Sequence, residues 1–179
     1  MANSYNSLCD DFYVDMTINT ELELPGNRET ILSFFELIQK RMPELNNFYR
    51  RETGDYGLSQ IKDSEKYRTV LLETDRVNSS CANPVDLEDA YNLHSVVAEL
   101  APYMLGISHL DFECLDLTFT MDFDYAGNHD EVVAEALLTP TAFSDLLNFP
   151  GARPIGFSPS ATIALTNDCR RQARISIDS

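Results

Sequence analysis

The chain has 179 residues, 44% of them hydrophobic, and its 29 acidic and 13 basic side chains give a net charge of −16. This length favours one well-buried core, so we expect a single domain over 1–179, with residues 1–9 flexible. An anionic surface repels phosphate backbones and acidic lipids, which argues against nucleic acid and membranes as main partners. A basic protein is a partner that this charge allows.

The four cysteines are scattered along the chain and include no C-x-x-C pair. Disulfide scaffolds are usually denser in cysteine, and zinc sites usually have paired ligands. The N-terminus has neither the basic start nor the apolar run of a signal peptide, and no stretch approaches the ~18 continuous apolar residues of a membrane span. We therefore expect a reduced, cytoplasmic protein.

Hydrophobic periodicity divides the first half of the chain into alternating strands and helices. Pro43 and Gly106 end the two helices, and the segments 54–57 and 78–84 have the composition of a turn and a loop. In chain order, this half predicts a strand over 11–24, a helix over 28–42, strands over 48–52 and 67–76, and a helix from Asp86 to Gly106.

The strongest pattern runs from Leu110 to Tyr125, where apolar residues alternate with acidic residues and threonine. Such alternation predicts a long strand with one apolar and one acidic face. The phase reverses between Cys114 and Leu115, which suggests a β-bulge. We expect its apolar side chains, including Phe119 and Phe123, to be shielded beneath helices.

The rest of the chain predicts helical segments followed by a hairpin. Asn128 and Glu131 have the spacing of a helix N-cap and its capping-box partner, and Pro140 restarts a second helical piece that ends near 148. An irregular connection over 150–159 then leads to strands over 161–166 and 172–178.

The resulting fold class is α+β, an antiparallel sheet with helices on one face. The first six elements have the order of a ferredoxin-like βαββαβ core, to which an extra helical segment and a C-terminal β-hairpin are added. In that topology the first and fourth strands are neighbours. Strand 11–24 should therefore lie beside strand 110–125.

Two short motifs bear on metal binding. Gly127-Asn128-His129-Asp130 resembles the G-N-H-[DE] motif of calcineurin-like metallophosphatases, but the D-x-H and G-D-x-x-D segments of that family do not occur, so we interpret it as a helix cap. Asp122 and Asp124 at the end of the long strand, with Gly127 and Asp130 beyond it, resemble a calcium loop. Val133 stands where the bidentate Glu is required and Ala126 stands at another ligand position, so the EF-hand interpretation fails. A divalent cation site, with no other cofactor expected, remains an alternative; its ligands would be Asp122, Asp124, Asp130 and Glu131.

Few residues are candidates for catalysis. His94 falls on the apolar side of the second helix, close to Tyr91, where a core histidine is the simpler interpretation and a catalytic base the alternative. No G-x-S-x-G elbow and no common nucleotide-binding loop occurs. Whether the chain is an enzyme stays open, and the absence of a nucleophile argues against it.

Two functions are consistent with these patterns. The first is a non-enzymatic, cytoplasmic module that forms a homodimer or binds a partner through its sheet or terminal hairpin, because an uncovered strand edge pairs readily with another chain. The alternative is a small enzyme or ligand-binding protein with a pocket between sheet and helices around His94 and Tyr91.

Overall fold

The computed structural model describes Tyr5 and residues 8–61, 66–139 and 141–178. Within these residues the protein is a mixed α+β structure of three α-helices and eight strands, which form a six-stranded antiparallel sheet and a two-stranded hairpin. The chain divides into two compact units, Met1–Phe123 and Asp124–Ser179, which are described separately. That the two units form one domain stays a prediction.

The first unit contains the six-stranded sheet, whose strand order is β2-β3-β4-β5-β1-β6. Its elements are β1 (Asp11–Thr20), α1 (Arg28–Arg41), β2 (Leu45–Arg50), β3 (Tyr56–Gln60), β4 (Tyr67–Leu72), β5 (Arg76–Ala82), α2 (Leu87–Leu105) and β6 (Phe112–Asp122). The prediction that the first strand lies beside the long acidic strand is confirmed, because β1 pairs with β6. The ferredoxin-like order is not confirmed, because β3 and β5 make the element order β-α-β-β-β-β-α-β.

The two additional strands lie where the sequence predicts a turn and a loop. β5 contains Asn78, Ser79 and Ser80, residue types that carry little intrinsic strand preference. It is a strand because β1 and β4 hydrogen-bond to it on both sides. β3 contains Gly57, where an added Cβ would lie 2.4 Å from the Tyr49 ring, so the absence of a side chain allows β2 to pack closely.

Side-chain caps fix the helix ends close to the predicted boundaries. The Asn27 side chain accepts a hydrogen bond from the Thr30 amide at the start of α1, and Asp86 does the same for the Asp89 amide of α2. α2 ends at Gly106, whose φ of +70° lies in the left-handed region that favours glycine. Both helices therefore begin and end where the sequence predicts them.

The hydrophobic core lies between one face of the sheet and the two helices. Val14, Met16 and Ile18 on β1 are buried, and α1 and α2 pack against that face and against each other through Phe34 and Leu93, among others. Full burial of side chains of this size contributes roughly 1.5–3 kcal/mol each. Within the first unit, α1 and α2 therefore pack on the face of the sheet that carries these buried side chains.

Tyr5 and Cys9, which precede β1, pack against Phe12 and its neighbours. The ring of Tyr5 stacks on Phe12 with centroids 4.8 Å apart, and Cys9 is buried in the same small cluster. Residues 1–4, 6 and 7, where most of the predicted flexible segment falls, lie outside the described residues.

β6 overturns one expectation about burial. Its apolar side chains point to the same side as the core residues of β1, yet Phe119 is 45% exposed and Phe123 is 60% exposed. The physical reason is position, since the main contacts of α1 and α2 are with each other and with β5, β1 and β2, and β6 is the edge strand beyond them. The prediction that helices shield this strand is wrong.

The second unit contains α3 (His129–Leu138), a 3-10 turn (Ser144–Asn148), β7 (Ser160–Ala164) and β8 (Gln172–Ser176). The C-terminal hairpin is confirmed, since β7 and β8 pair antiparallel. The second predicted helical piece is shorter than expected, and Pro140 lies outside the described residues. In the described part of the chain, no helix is both long enough and apolar enough to cross a bilayer.

Candidate functional site

The edge of the sheet at β6 is the most distinctive surface of the first unit. In the described residues, β6 is hydrogen-bonded to β1 alone, which leaves a row of backbone groups available for another strand. The apolar side chains beside this edge, here called the apolar row, are Leu115, Leu117, Phe119, Met121 and Phe123. The first four are between 39% and 47% exposed.

The opposite edge of the sheet, β2, shows how a strand edge is protected. β2 has six residues against eleven in β6, and its pairing with β3 is interrupted by a register shift near Asn47. The one large apolar side chain exposed on it, Phe48, packs against Phe35 and Tyr56 at 5.3 and 6.1 Å between ring centroids. Among the residues that the structure describes, nothing protects β6 in this way along most of its length.

A β-bulge interrupts β6 near its start, one residue before the predicted place. Thr20 lies opposite Phe112, and Asn19 lies opposite Cys114, so Glu113 is the additional residue. Cys114 consequently lies on the polar side of the sheet, opposite to the prediction. From Cys114 to Asp122 the pairing with β1 is regular.

The polar side of β1 and β6 is acidic and hydrogen-bonded. Asn19 donates to Asp116 at 2.9 Å and to the Cys114 sulfur at 3.3 Å. Burial and the neighbouring Asp116 carboxylate raise the pKa of the Cys114 thiol. Burial also raises the pKa of Asp15, which a hydrogen bond from Ser80 offsets in part. Asp15 and Asp116 therefore lie on the same side of the sheet, within this polar network.

His94 lies in the core between α2 and β5. The side chain is 4% exposed, and Nδ1 lies 2.8 Å from the hydroxyl oxygen of Ser79, a partner that sequence reasoning missed. Nε2 is buried without a partner in hydrogen-bonding geometry among the described residues. Burial lowers the pKa of His94 from 6.5 to about 4, against the smaller opposite effect of the Val14 backbone. The ring is therefore neutral at physiological pH.

This geometry favours the core interpretation of His94 over the catalytic one. Ser79 is fully buried as well, so a substrate would have to open the core to contact either side chain. Tyr91, predicted beside it, is 40% exposed on α2. A catalytic role for His94 and Tyr91 stays a prediction that this arrangement does not support.

The four proposed cation ligands are distributed over both units. Asp122 ends β6 in the first unit, whereas Asp124, Asp130 and Glu131 belong to the second. Asp130 accepts a 2.6 Å hydrogen bond from the Phe157 amide. Across residues 8–61, 66–139 and 141–178, no group of three or more His, Cys, Asp or Glu side chains is arranged to hold a metal ion. The cation site stays a prediction.

The G-N-H-D segment has a structural explanation. The Asn128 side chain accepts a hydrogen bond from the Glu131 amide at 3.3 Å and so caps α3, as the sequence predicts. His129 Nε2 lies 2.7 Å from the Tyr125 carbonyl oxygen, to which it donates when it carries the proton. Its ring also contacts the Tyr125 ring edge-on at 5.7 Å.

Comparison with known proteins adds no assignment. No protein-family model matches the chain, and no curated protein matches its sequence.

Proposed function

We propose that this protein is a non-enzymatic, cytoplasmic assembly module that forms a homodimer along β6. The observation that carries the proposal is the apolar row beside an unprotected strand edge. A long edge strand with exposed apolar side chains is a template for pairing with another chain. Four free thiols and an acidic surface support the cytoplasmic location.

The size of the apolar row fits an interaction site. If a full side chain of this size presents roughly 180 Å², the exposed fractions of the five side chains correspond to roughly 420 Å² per copy. Patches of roughly 300–600 Å² are often functional on monomers. A standard interface buries about 800 Å² per partner, so we expect the row to form the centre of a larger dimer interface.

Light scattering and sedimentation equilibrium test the dimer directly. At about 50 µM the protein should have twice the mass of the 20.2 kDa chain. Phe119→Lys places a charge in the apolar row and should give a monomer. Ile163→Lys is the matched control, because Ile163 is 54% exposed on β7, and it should leave the dimer intact.

A monomeric wild-type protein at about 100 µM would refute the proposal. So would a Phe119→Lys variant that is folded by circular dichroism and still a dimer. Both results concern β6 itself, since the control variant carries the same charge change elsewhere.

A basic protein is the second candidate partner, and the acidic side of the sheet favours it. Asp11, Asp15, Asp116 and Asp122 all lie on the polar side of β1 and β6. Salt distinguishes the two partners, because added salt weakens the attraction of a basic protein and relieves the repulsion between two acidic copies.

We also propose that β1, α1, β2, β5, α2 and β6 form a ferredoxin-like core with β3 and β4 inserted. The position of β1 between β5 and β6 supports this relation, because β5, α2 and β6 then form a split β-α-β unit around β1. A solved structure with a different neighbour for β1 would contradict it.

A further inference from the structure

We infer that β6 of one copy pairs edge to edge and antiparallel with β6 of a second copy, about a two-fold axis at Thr118. This inference deepens the proposed homodimer and rests on it. The dimer alone leaves open whether the two copies stack their apolar rows face to face or join their sheets at the edge. The sequence of β6 and its regular segment favour the edge.

The length of the regular segment determines the centre of the pairing. β6 continues without interruption from Cys114 to Asp122, and the bulge at Glu113 ends it. In a symmetric antiparallel pair, one residue lies opposite its own copy. Thr118 is the midpoint of Cys114–Asp122, so a two-fold axis there uses all nine regular residues.

Charge and strand length favour the register centred on Thr118 over the two registers shifted by one residue. An axis at Phe119 would place Asp116 directly opposite Asp122, and like charges in that position destabilise a strand pair. An axis at Thr118 places Asp116 opposite Thr120 instead. An axis at Leu117 would pair fewer regular residues, because Asp122 would then face the segment beyond the bulge.

The same register also matches the apolar row to itself. Leu117 lies opposite Phe119, Leu115 lies opposite Met121, and the two Thr118 side chains face each other. Apolar pairs and Thr–Thr pairs that lie directly opposite each other stabilise an antiparallel strand pair. The strand is therefore complementary to its own copy, although each copy carries a net charge of −16.

A two-fold axis perpendicular to the sheet places both helix layers on the same side. The two six-stranded sheets would then form one continuous sheet, and the two apolar rows would lie side by side across the junction. Each row partly covers the other, and the backbone groups of both edges become paired. Face-to-face stacking would bury the rows and leave the edges unpaired.

Cysteine cross-linking distinguishes the two arrangements. The parent is Cys114→Ser/Cys169→Ser, which removes the two cysteines that are not buried. Opposed Cα atoms in an antiparallel pair are about 4.5 to 5.5 Å apart, within the range of a disulfide. Mild oxidation of Thr118→Cys should therefore convert most of the chain to a disulfide-linked dimer, as seen on a non-reducing gel.

Two further variants of that parent are the controls. In the proposed register the two copies of Thr120 are about 14 Å apart, so Thr120→Cys should stay unlinked. In the same register the two copies of Leu117 are diagonal neighbours about 8 Å apart, which is beyond the range of a disulfide unless the rows stack face to face. Leu117→Cys should therefore also stay unlinked.

Each outcome decides between the proposals. Cross-linking of Leu117→Cys or Thr120→Cys without Thr118→Cys overturns the inference, but the homodimer stands. If the parent has a dimeric mass but Thr118→Cys forms no cross-link, the inference is likewise overturned and the homodimer stands. A monomeric mass for the parent and for the wild-type protein overturns the inference and the proposed function together.

Discussion

Acid should destabilise this protein through one buried side chain, His94. The folded state holds the ring neutral, with its pKa lowered by burial from 6.5 to about 4, whereas the unfolded chain exposes it to water. Between these two pH values the unfolded state binds a proton that the folded state does not. The free energy of unfolding therefore falls as the pH falls from 6.5 towards 4.

The size of the effect follows from the two pKa values. Each pH unit between them corresponds to about 1.4 kcal/mol, so His94 lowers the free energy of unfolding by up to about 3 kcal/mol between pH 7.5 and pH 4. That is a large part of the roughly 5–15 kcal/mol that stabilises a typical domain.

The assay is urea unfolding at several pH values between 7.5 and 4, on the wild-type protein and on His94→Gln. Glutamine stays neutral and keeps a polar group near Ser79. The free energy of unfolding of the variant should therefore fall with acid by ~3 kcal/mol less than that of the wild type. His109→Gln is the matched control because His109 is exposed, and it should follow the wild type. The raised pKa of Asp15 changes the free energy of unfolding with pH in the opposite direction. Because both variants and the wild type keep Asp15, this effect is the same in all three proteins.

Equal pH dependence of the wild type and His94→Gln would refute this reasoning. It would mean that His94 is protonated in the folded state or that water reaches the ring. A difference that appears equally in His109→Gln would refute it as well, since burial would then not be the cause.

Three further predictions concern surfaces and contacts. Asn83→Ala should destabilise the protein by about 2 kcal/mol, because the Asn83 side chain accepts a hydrogen bond from the buried Phe12 amide. Asn83→Gly should destabilise it less, because glycine tolerates the φ of +47° at this position. Equal losses of stability in thermal unfolding would contradict this role of the positive φ. Arg68→Met should cost about 1–3 kcal/mol in urea unfolding, because Arg68 is 18% exposed and pairs with both Glu44 and Asp89; an unchanged stability would show that these pairs contribute nothing. Raising NaCl from about 0.05 M to about 0.5 M should tighten the dimer in sedimentation experiments, because salt screens the repulsion between acidic copies; a weaker dimer would indicate that opposite charges hold it together.

Periodicity predicts the elements whose side chains alternate or repeat clearly. The pattern of β1 and β6 is visible because the sheet separates apolar from acidic side chains on both strands. β5 is different, since Asn78 and its neighbours carry little strand preference and are held by hydrogen bonds to β1 and β4. Such a strand depends on partners that are distant in sequence, and local reasoning cannot supply them.

Apolar–polar alternation along a strand also does not reveal whether helices cover the apolar face of that strand. Phe12 and Phe119 both belong to alternating strands and point to the same side of the sheet, yet they are 1% and 45% exposed. The difference comes from the position of α1 and α2 over the sheet, which depends on how helices pack and not on either strand. For this reason the candidate site at β6 emerged only with the three-dimensional arrangement.

The candidate histidine shows the same limit on a smaller scale. Helical spacing places His94 on the buried side of α2, and the structure agrees. Its partner Ser79, however, lies in a segment that the sequence predicts as a loop. A polar pair of this kind can be recognised only when both elements are known to face each other.

The order of strands also has a consequence for synthesis on the ribosome. β1 emerges first, but both of its neighbours, β5 and β6, lie far downstream and end at Ala82 and Asp122. Strands β2 to β5 are a local meander that needs little chain to close, whereas β1 has to wait for residues many positions later. β1 is therefore incorporated late, and a nascent chain that stops before β6 leaves one side of β1 unpaired.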